Sequence, residues 1–378
     1  MMARMAEFPP RDDWPKADPA DVGLAPARLG DAVAFALEHE SAWPRSLTTE
    51  AGAFYPTAVY VPEPAPWSEP VGPVRPRGGP SGLVVRRGRL VAEWGDTARA
   101  DMTFSVTKSY LALLAGLAVA DGRIRSLDDA ARGQALDDGF EPPQNRAITW
   151  RHLLQQTSEW EGTVWGKPDT LDRNRVVGVG ATSTAPKGGP RALRAPGSHF
   201  EYNDVRVNRL SLSLMQVFRR PLPEVLRERI MEPIGASEGW EWAGYRTSWV
   251  EIDGRQMQGV PGGGHWGGGL MIGARDHARV GYLVLHAGTW DGRAVLPASW
   301  IAELGRPCPV NPTYGLLWWL NTDRALYPSA PASSLFALGA GSHVIWVDRE
   351  HDLVVVARWI DKLSVDGLLA RILAAIRD

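Results

Sequence analysis

With 378 residues, 44% of them hydrophobic, and a formal net charge of -2, the chain can bury a large core as one big domain or two closely joined ones. The near-neutral balance and the lack of any long basic run give no electrostatic reason to expect nucleic acid or an anionic membrane as a partner. No apolar stretch is long enough to span a bilayer, residues 1–10 lack the apolar core of a signal peptide, and the single cysteine, Cys308, excludes an intrachain disulfide, so a cytoplasmic protein is expected.

In chain order, a proline-rich leader precedes a helix expected over residues 26–40, where Leu29, Ala32, Val33, Ala36 and Leu37 recur at helical spacing. Residues 41–79, rich in proline, tryptophan and glycine without periodicity, read as an irregular surface connection. Two β-rich runs over 82–94, about a turn at Arg87-Gly88, form a hairpin just ahead of Ser105. From Ser105 to Leu283 helices alternate with long loops, with helices expected at 150–156, 208–219 and 222–231. The runs 314–321, 334–338, 342–348 and 352–359 then read as strands, and 364–376 closes the chain as an apolar-faced helix. The expected class is therefore α+β. Residues 1–104 and 284–378 make an antiparallel sheet flanked by terminal helices, 105–283 make a mainly helical lobe, and Ser105 emerges at the seam.

The tetrad Ser105-Val106-Thr107-Lys108 carries the first chemical signal. Residues three apart on a helix share a face, so the hydroxyl and the amine stand one turn apart. A lysine stripped of water can exist as the neutral amine that removes a serine proton, and the helix N-terminus stabilises negative charge developing at that serine.

Phe104-Ser105-Val106-Thr107-Lys108-Ser109 resembles the nucleophile motif of the serine β-lactamase and penicillin-binding-protein superfamily, in its class C-like branch. That branch includes family VIII carboxylesterases, DD-peptidases and 6-aminohexanoate-dimer hydrolases. Further blocks follow in the family order across roughly residues 80 to 360. His152-Leu153-Leu154-Gln155-Gln156-Thr157-Ser158 is similar to "LLxxTSG", with Glu159 in place of the glycine, and 196–204 is similar to "PGxxFxYxN". Gly268-Gly269-Leu270 with 275–281 resembles "GGLxxTxxDxARFG", while 314–319 and 336–339 resemble "YGYLWW" and "FxAxG". The resemblance implies a β-lactamase-like fold and a proton-transfer role for Tyr202 beside Ser105 and Lys108. Asp204 stands where the family carries asparagine; a carboxylate offers no amide donor and instead suits an ion pair with Lys108.

The family's third motif, "KTG" or "HTG", maps onto Ala337-Leu338-Gly339, without its basic and hydroxyl residues. Losing that carboxylate receptor removes the reason to prefer a penicillin or a peptide C-terminus. The backbone N–H groups of Ala340 and Ser105 would form the oxyanion hole, and Gly339 and Gly341 let the strand pass close to substrate. His343 faces either the cleft or the sheet. Asn203 is close enough in sequence to share the pocket wall, and Trp160, one of 17 tryptophans, is a further lining candidate. The block 262–269 frees its backbone for close approach to another segment or a ligand, with His265 and Trp266 either lining the pocket or forming a turn. It lacks phosphate-loop spacing, and the scattered histidines give no metal motif, so neither cofactor nor metal is expected. The expected activity is a serine hydrolase cleaving small esters or amides through an acyl-enzyme, foremost a carboxylesterase. The alternatives are a 6-aminohexanoate-oligomer-type amidase, a β-lactamase or DD-peptidase, and a non-catalytic binding module; self-association is left open.

Overall fold

The β-rich runs at the two ends of the chain meet in one sheet. The computed structural model describes residues 7–11, 13–178 and 182–377; the first six residues of the leader lie outside the described residues. Strands β1 (Ser81–Arg86) and β2 (Arg89–Trp94) form the expected hairpin, and the two residues between them, Arg87 at φ 51° and Gly88 at φ 78°, both adopt the positive φ that a twisted two-residue connection requires. β3 (Asp101–Met102) then leads to helix α2 (Val106–Ala120), after α1 (Pro26–Glu38) has been laid down upstream. α2 is buried from Val106 to Ala118, as an apolar helix without a polar face must be.

Three helices follow, α3 (Trp150–Leu154), α4 (Asp204–Phe218) and α5 (Leu222–Leu226). β4 (Glu241–Ala243) and β5 (Gly269–Ile272) pair with β3 in a small sheet of order β3-β5-β4. After α6 (Ala274–Leu285), strands β6 (Trp319–Leu320), β7 (Leu335–Gly339), β8 (His343–Asp348) and β9 (Leu353–Arg358) complete the main sheet, and α7 (Val365–Ala374) closes the chain. The main sheet is antiparallel throughout, in the order β6-β7-β8-β9-β1-β2, with Val84 opposite Val355 and Ile345 opposite Val356. Every residue of β1, β8 and β9 is buried, so the centre of the sheet is covered on both faces. α1 packs on α7 and β2, while α2 packs against β7, β8 and α4.

One expected strand is shorter than its apolar run. The apolar run 314–321 was expected as one strand, but only Trp319–Leu320 joins the sheet, because Gly315 N–H donates to Trp318 O at 2.8 Å and Leu317 adopts φ 55°, closing a turn. Residues 274–285, which carry one of the family blocks, form a helix that packs on β8, β9 and β1. Among the described residues no helix is long and apolar enough to cross a membrane.

Gly82 pins the register of β1: a Cβ there would lie 2.3 Å from both the Trp94 ring and Val356 O. Gly82→Ala should therefore destabilise the protein by about 1–3 kcal/mol in urea unfolding, with secondary structure retained in circular dichroism.

Candidate active site

Ser105 stands at the N-cap of α2, reached through Phe104 in the left-handed conformation at φ 49°. The helix begins here because Ser105 itself is already helical, at φ -69° and ψ -9°, while Phe104 turns the chain out of β3. One helical turn on, Lys108 Nζ donates to Ser105 Oγ at 2.9 Å. The end of β7 lies against the same turn: a Cβ on Gly339 would come 2.3 Å from Thr103 O and 3.3 Å from Ser105 N, so only glycine fits. Among the described residues, the N–H groups of Ser105 and Ala340 donate no backbone hydrogen bond. The two donors expected for an oxyanion are thus unspent, beside a serine and a lysine in contact.

Lys108 is buried and pairs with Asp204 Oδ1; Arg175 Nη1 holds Asp204 Oδ2 from the other side. Asn203 explains where Asp204 comes from. It caps α4, accepting from Val205 N–H and Arg206 N–H at 3.1 Å each, which makes Asp204 the first helical residue and aims it at Lys108. Burial alone would raise the Asp204 pKa, but the Lys108 ammonium and the Arg175 guanidinium outweigh it and hold the carboxyl well below the usual range. Burial likewise works against the Lys108 charge, and Asp204 outweighs it, so the Lys108 pKa is raised. The pairing with Asp204 thus favours the ammonium form of Lys108 in the resting site, in line with the ion pair expected for Asp204, over the neutral amine that a lysine stripped of water can adopt.

The charges continue beyond this pair. Arg175 Nη1 lies 3.3 Å from Asp172, and Lys187 bridges Asp172 at 3.3 Å and Glu63 at 2.9 Å. Glu63 also takes His265 Nε2 at 2.6 Å and the Trp266 indole N–H at 2.8 Å, and His265 Nδ1 lies 3.8 Å from Asp204 Oδ2. His265 and Trp266 are delivered there by the glycine block, whose backbone passes so close to Gly72 that a Cβ on Gly267 would meet Gly72 O at 2.4 Å. Burial opposes the Glu63 charge, but His265, Lys187 and Trp266 together lower its pKa to about 2. Glu63, Asp172 and His265 bring ligand-type atoms within 4.8 Å of one another, as do Glu159, His199 and Glu201. In the first group the Lys187 ammonium already bridges the two carboxylates, and in the second Arg191 and Arg206 pair with both.

Tyr202 meets Lys108 ring-first, with Nζ 4.8 Å from the ring centroid, Arg175 Cζ at 5.5 Å, and Trp319 stacked at 5.8 Å and 21°. Among the described residues its hydroxyl makes no hydrogen bond to Ser105 or Lys108. Three pocket candidates are committed elsewhere. Asn203 is a cap whose amide donates to Asp169 O; Trp160 is buried, with its indole N–H on Gly139 O at 2.7 Å; and His343 lies under Trp359 and accepts from Arg358 Nε at 3.1 Å. Gly341 also packs on Trp359. Arg175, Asp172, Lys187 and Glu63 escaped the sequence reading, since they sit in irregular segments without period or motif. Glu159, in the place of the family's glycine, adopts φ 50° and is held by Arg191 at 2.6 Å and Arg206 at 3.0 Å. Its left-handed backbone is the reason glycine suits that position.

The sequence model of the Beta-lactamase family matches residues 77–359. No curated protein matches the chain. Among solved structures, a family VIII carboxylesterase is 15% identical with a TM-score of 0.60, covering 96% of this chain and 99% of that one. A penicillin-binding protein homologue from Caulobacter crescentus is 17% identical with a TM-score of 0.60, covering 94% and 99%. EstCE1, a hydrolase with promiscuous acyltransferase activity, is 17% identical with a TM-score of 0.57, covering 93% and 99%. Likeness at these identities establishes the β-lactamase-like fold.

Glu63 and Glu159 are both held near 2, against an ordinary 4.5. Their contribution to stability is fully present above the ordinary value and is lost as pH falls towards 2. Urea midpoints measured from about pH 6 to about pH 3 should fall steeply, and in Glu63→Gln the fall should be shallower by about one proton; identical slopes would show that Glu63 titrates normally.

Proposed function

The chain belongs to the beta-lactamase family, and from that premise we propose that it is a serine hydrolase that cleaves small esters through an acyl-enzyme. The observation that carries this reading is the Ser105–Lys108 contact at the start of α2, with the N–H groups of Ser105 and Ala340 unspent beside it. Ser105 Oγ attacks the carbonyl carbon, its O–H bond breaks, and the charge on the carbonyl oxygen is taken by the two N–H groups. The proton goes to the Lys108–Tyr202 pair and is passed on to the departing alcohol; water then reverses the sequence and releases the acid. Because Lys108 rests as an ammonium, the pair gives up one proton before attack.

Ester chemistry is favoured over lactam or peptide chemistry by Leu338 and Ala337, which stand on β7 beside the nucleophile turn where the family's lysine and threonine would receive a carboxylate. The amide-cleaving variant differs only in the leaving group, and turnover of matched esters and amides separates the two.

Ser105→Ala is expected to abolish turnover of p-nitrophenyl esters and the stoichiometric fluorophosphonate adduct seen by intact-protein mass spectrometry. A folded wild type that takes no adduct would return the chain to the binding-module reading.

The loss of one proton before attack predicts an acid limb in kcat/KM. Asp204 raises the Lys108 pKa, so Asp204→Asn lowers it, and the acid limb should move to lower pH by about one unit. A limb that stays in place would separate Lys108 from the titrating group.

A further inference from the structure

Behind the nucleophile turn lies a buried group that the proposed chemistry does not use. His277, on α6, is 1% exposed and makes two hydrogen bonds: Nε2 with Thr103 Oγ1 at 2.8 Å and Nδ1 with the Tyr110 hydroxyl at 2.8 Å. Thr103 and Tyr110 are themselves fully buried. They bracket the stretch that holds the left-handed Phe104, Ser105 and Lys108, so one imidazole spans the segment on which the nucleophile and its lysine stand.

Burial, reinforced by the nearby Arg358 guanidinium, pushes the His277 pKa well below its ordinary value, so the ring is neutral. A neutral imidazole has one N–H and one bare nitrogen, which fixes one hydroxyl as acceptor and the other as donor. The anchor is itself firm: α6 packs on β8, β9 and β1, and Asp276, the preceding residue, accepts from Ser237 N–H at 2.9 Å and Ser237 Oγ at 2.6 Å. The backbone of the turn is tied locally, Thr103 O accepting from Val106 N–H at 3.3 Å and Phe104 O from Thr107 N–H at 3.0 Å, while Thr103 N–H goes to Leu270 O and Ser109 Oγ to Leu317 O; among the described residues, His277 is the only side chain that joins Thr103, at the entry to the turn, to Tyr110 in the second turn of α2.

We propose that His277 is a positioning residue: by splinting Thr103 to Tyr110 it fixes the left-handed turn at Phe104 and with it the direction of Ser105 Oγ. This rests on the reading of Ser105 as the nucleophile. It assigns the imidazole to acylation geometry, where displacement of a reacting atom by a fraction of an ångström is felt in the rate and not in substrate binding.

The test cuts the splint at either end without touching the imidazole. Thr103→Val and Tyr110→Phe each remove one hydroxyl at nearly constant shape, and the double variant removes both. The readouts are the fluorophosphonate acylation rate constant, the split between kcat and KM on a p-nitrophenyl ester, and the thermal midpoint. Each single variant should acylate about tenfold more slowly with KM within about twofold of wild type. The double variant should lose no more than the worse single one, since a splint cut at one end is already cut. Wild-type acylation in both single variants, with only the thermal midpoint lowered, would overturn the proposal and leave His277 a packing residue. Multiplicative losses in the double variant would overturn it as well, because the two hydroxyls would then act independently. A wild type that takes no label at all, with Ser105→Ala alike, is a separate failure: it removes the nucleophile reading and this inference with it.

Discussion

The buried pair of Lys108 and Asp204 is the constraint around which the rest of the site is arranged. Two charges taken out of water cost several kcal/mol each unless their remaining hydrogen-bonding capacity is met. Lys108 meets its own with Asp204 and Ser105; Asp204 meets its second oxygen with Arg175. Arg175 in turn needs Asp172, Asp172 takes Lys187, and Lys187 takes Glu63. Each added charge is of opposite sign to the last, so the chain alternates until it reaches His265 and Trp266. The consequence is structural as much as electrostatic. Residue 63, the 169–175 turn, residue 187 and the glycine block have little regular secondary structure to hold them together, and the alternating charges supply the tie.

That arrangement accounts for what could and could not be read from the sequence. The hairpin at Arg87-Gly88, the apolar α2 and the contact of Ser105 with Lys108 follow from local rules: turn chemistry, periodicity and the spacing of one helical turn. The expectation that Asp204 suits an ion pair with Lys108 was likewise a matter of donor and acceptor chemistry. Glu63, Asp172, Arg175 and Lys187 obey no local rule, because their partners are distant in sequence and their segments are irregular. The same holds for residues 314–321, where a continuous apolar and aromatic run suggests a strand but one positive φ at Leu317 closes a turn. Asn203 is a pocket candidate by its closeness in sequence to Tyr202 and Trp160 as an aromatic in a loop-like stretch; the first is spent on a helix cap and the second on the carbonyl of Gly139.

Departures from the family pattern are compensated where they occur. Glu159 occupies a left-handed position that glycine would take without strain, and two arginines hold its carboxylate. At Gly339 the opposite holds: contact with Thr103 O leaves no room for a Cβ, and the glycine is kept although its two preceding residues have lost the polar character of the motif. The glycine that touches the nucleophile turn through its backbone is retained, while the two side chains before it on the strand have changed.

The changes in side chains have one direction. Where the family pattern carries a neutral asparagine beside the lysine, this chain has a carboxylate, and where the pattern carries a basic residue on the strand, it has Ala337. The site therefore gains an anion and gives up a cation. Arg175 restores part of the balance, but its charge is spent on Asp204 and Asp172. An acidic substrate at such a site would meet the Asp204 carboxylate and no basic side chain on β7 among the described residues, and its desolvation would go uncompensated there. A neutral acyl group asks nothing of that kind. On the proposed chemistry it needs only the two backbone N–H groups at the carbonyl. On the proposed ester chemistry, the loss of the carboxylate receptor and the gain of Asp204 are then not two unrelated substitutions but changes of one sign, both suited to an uncharged substrate.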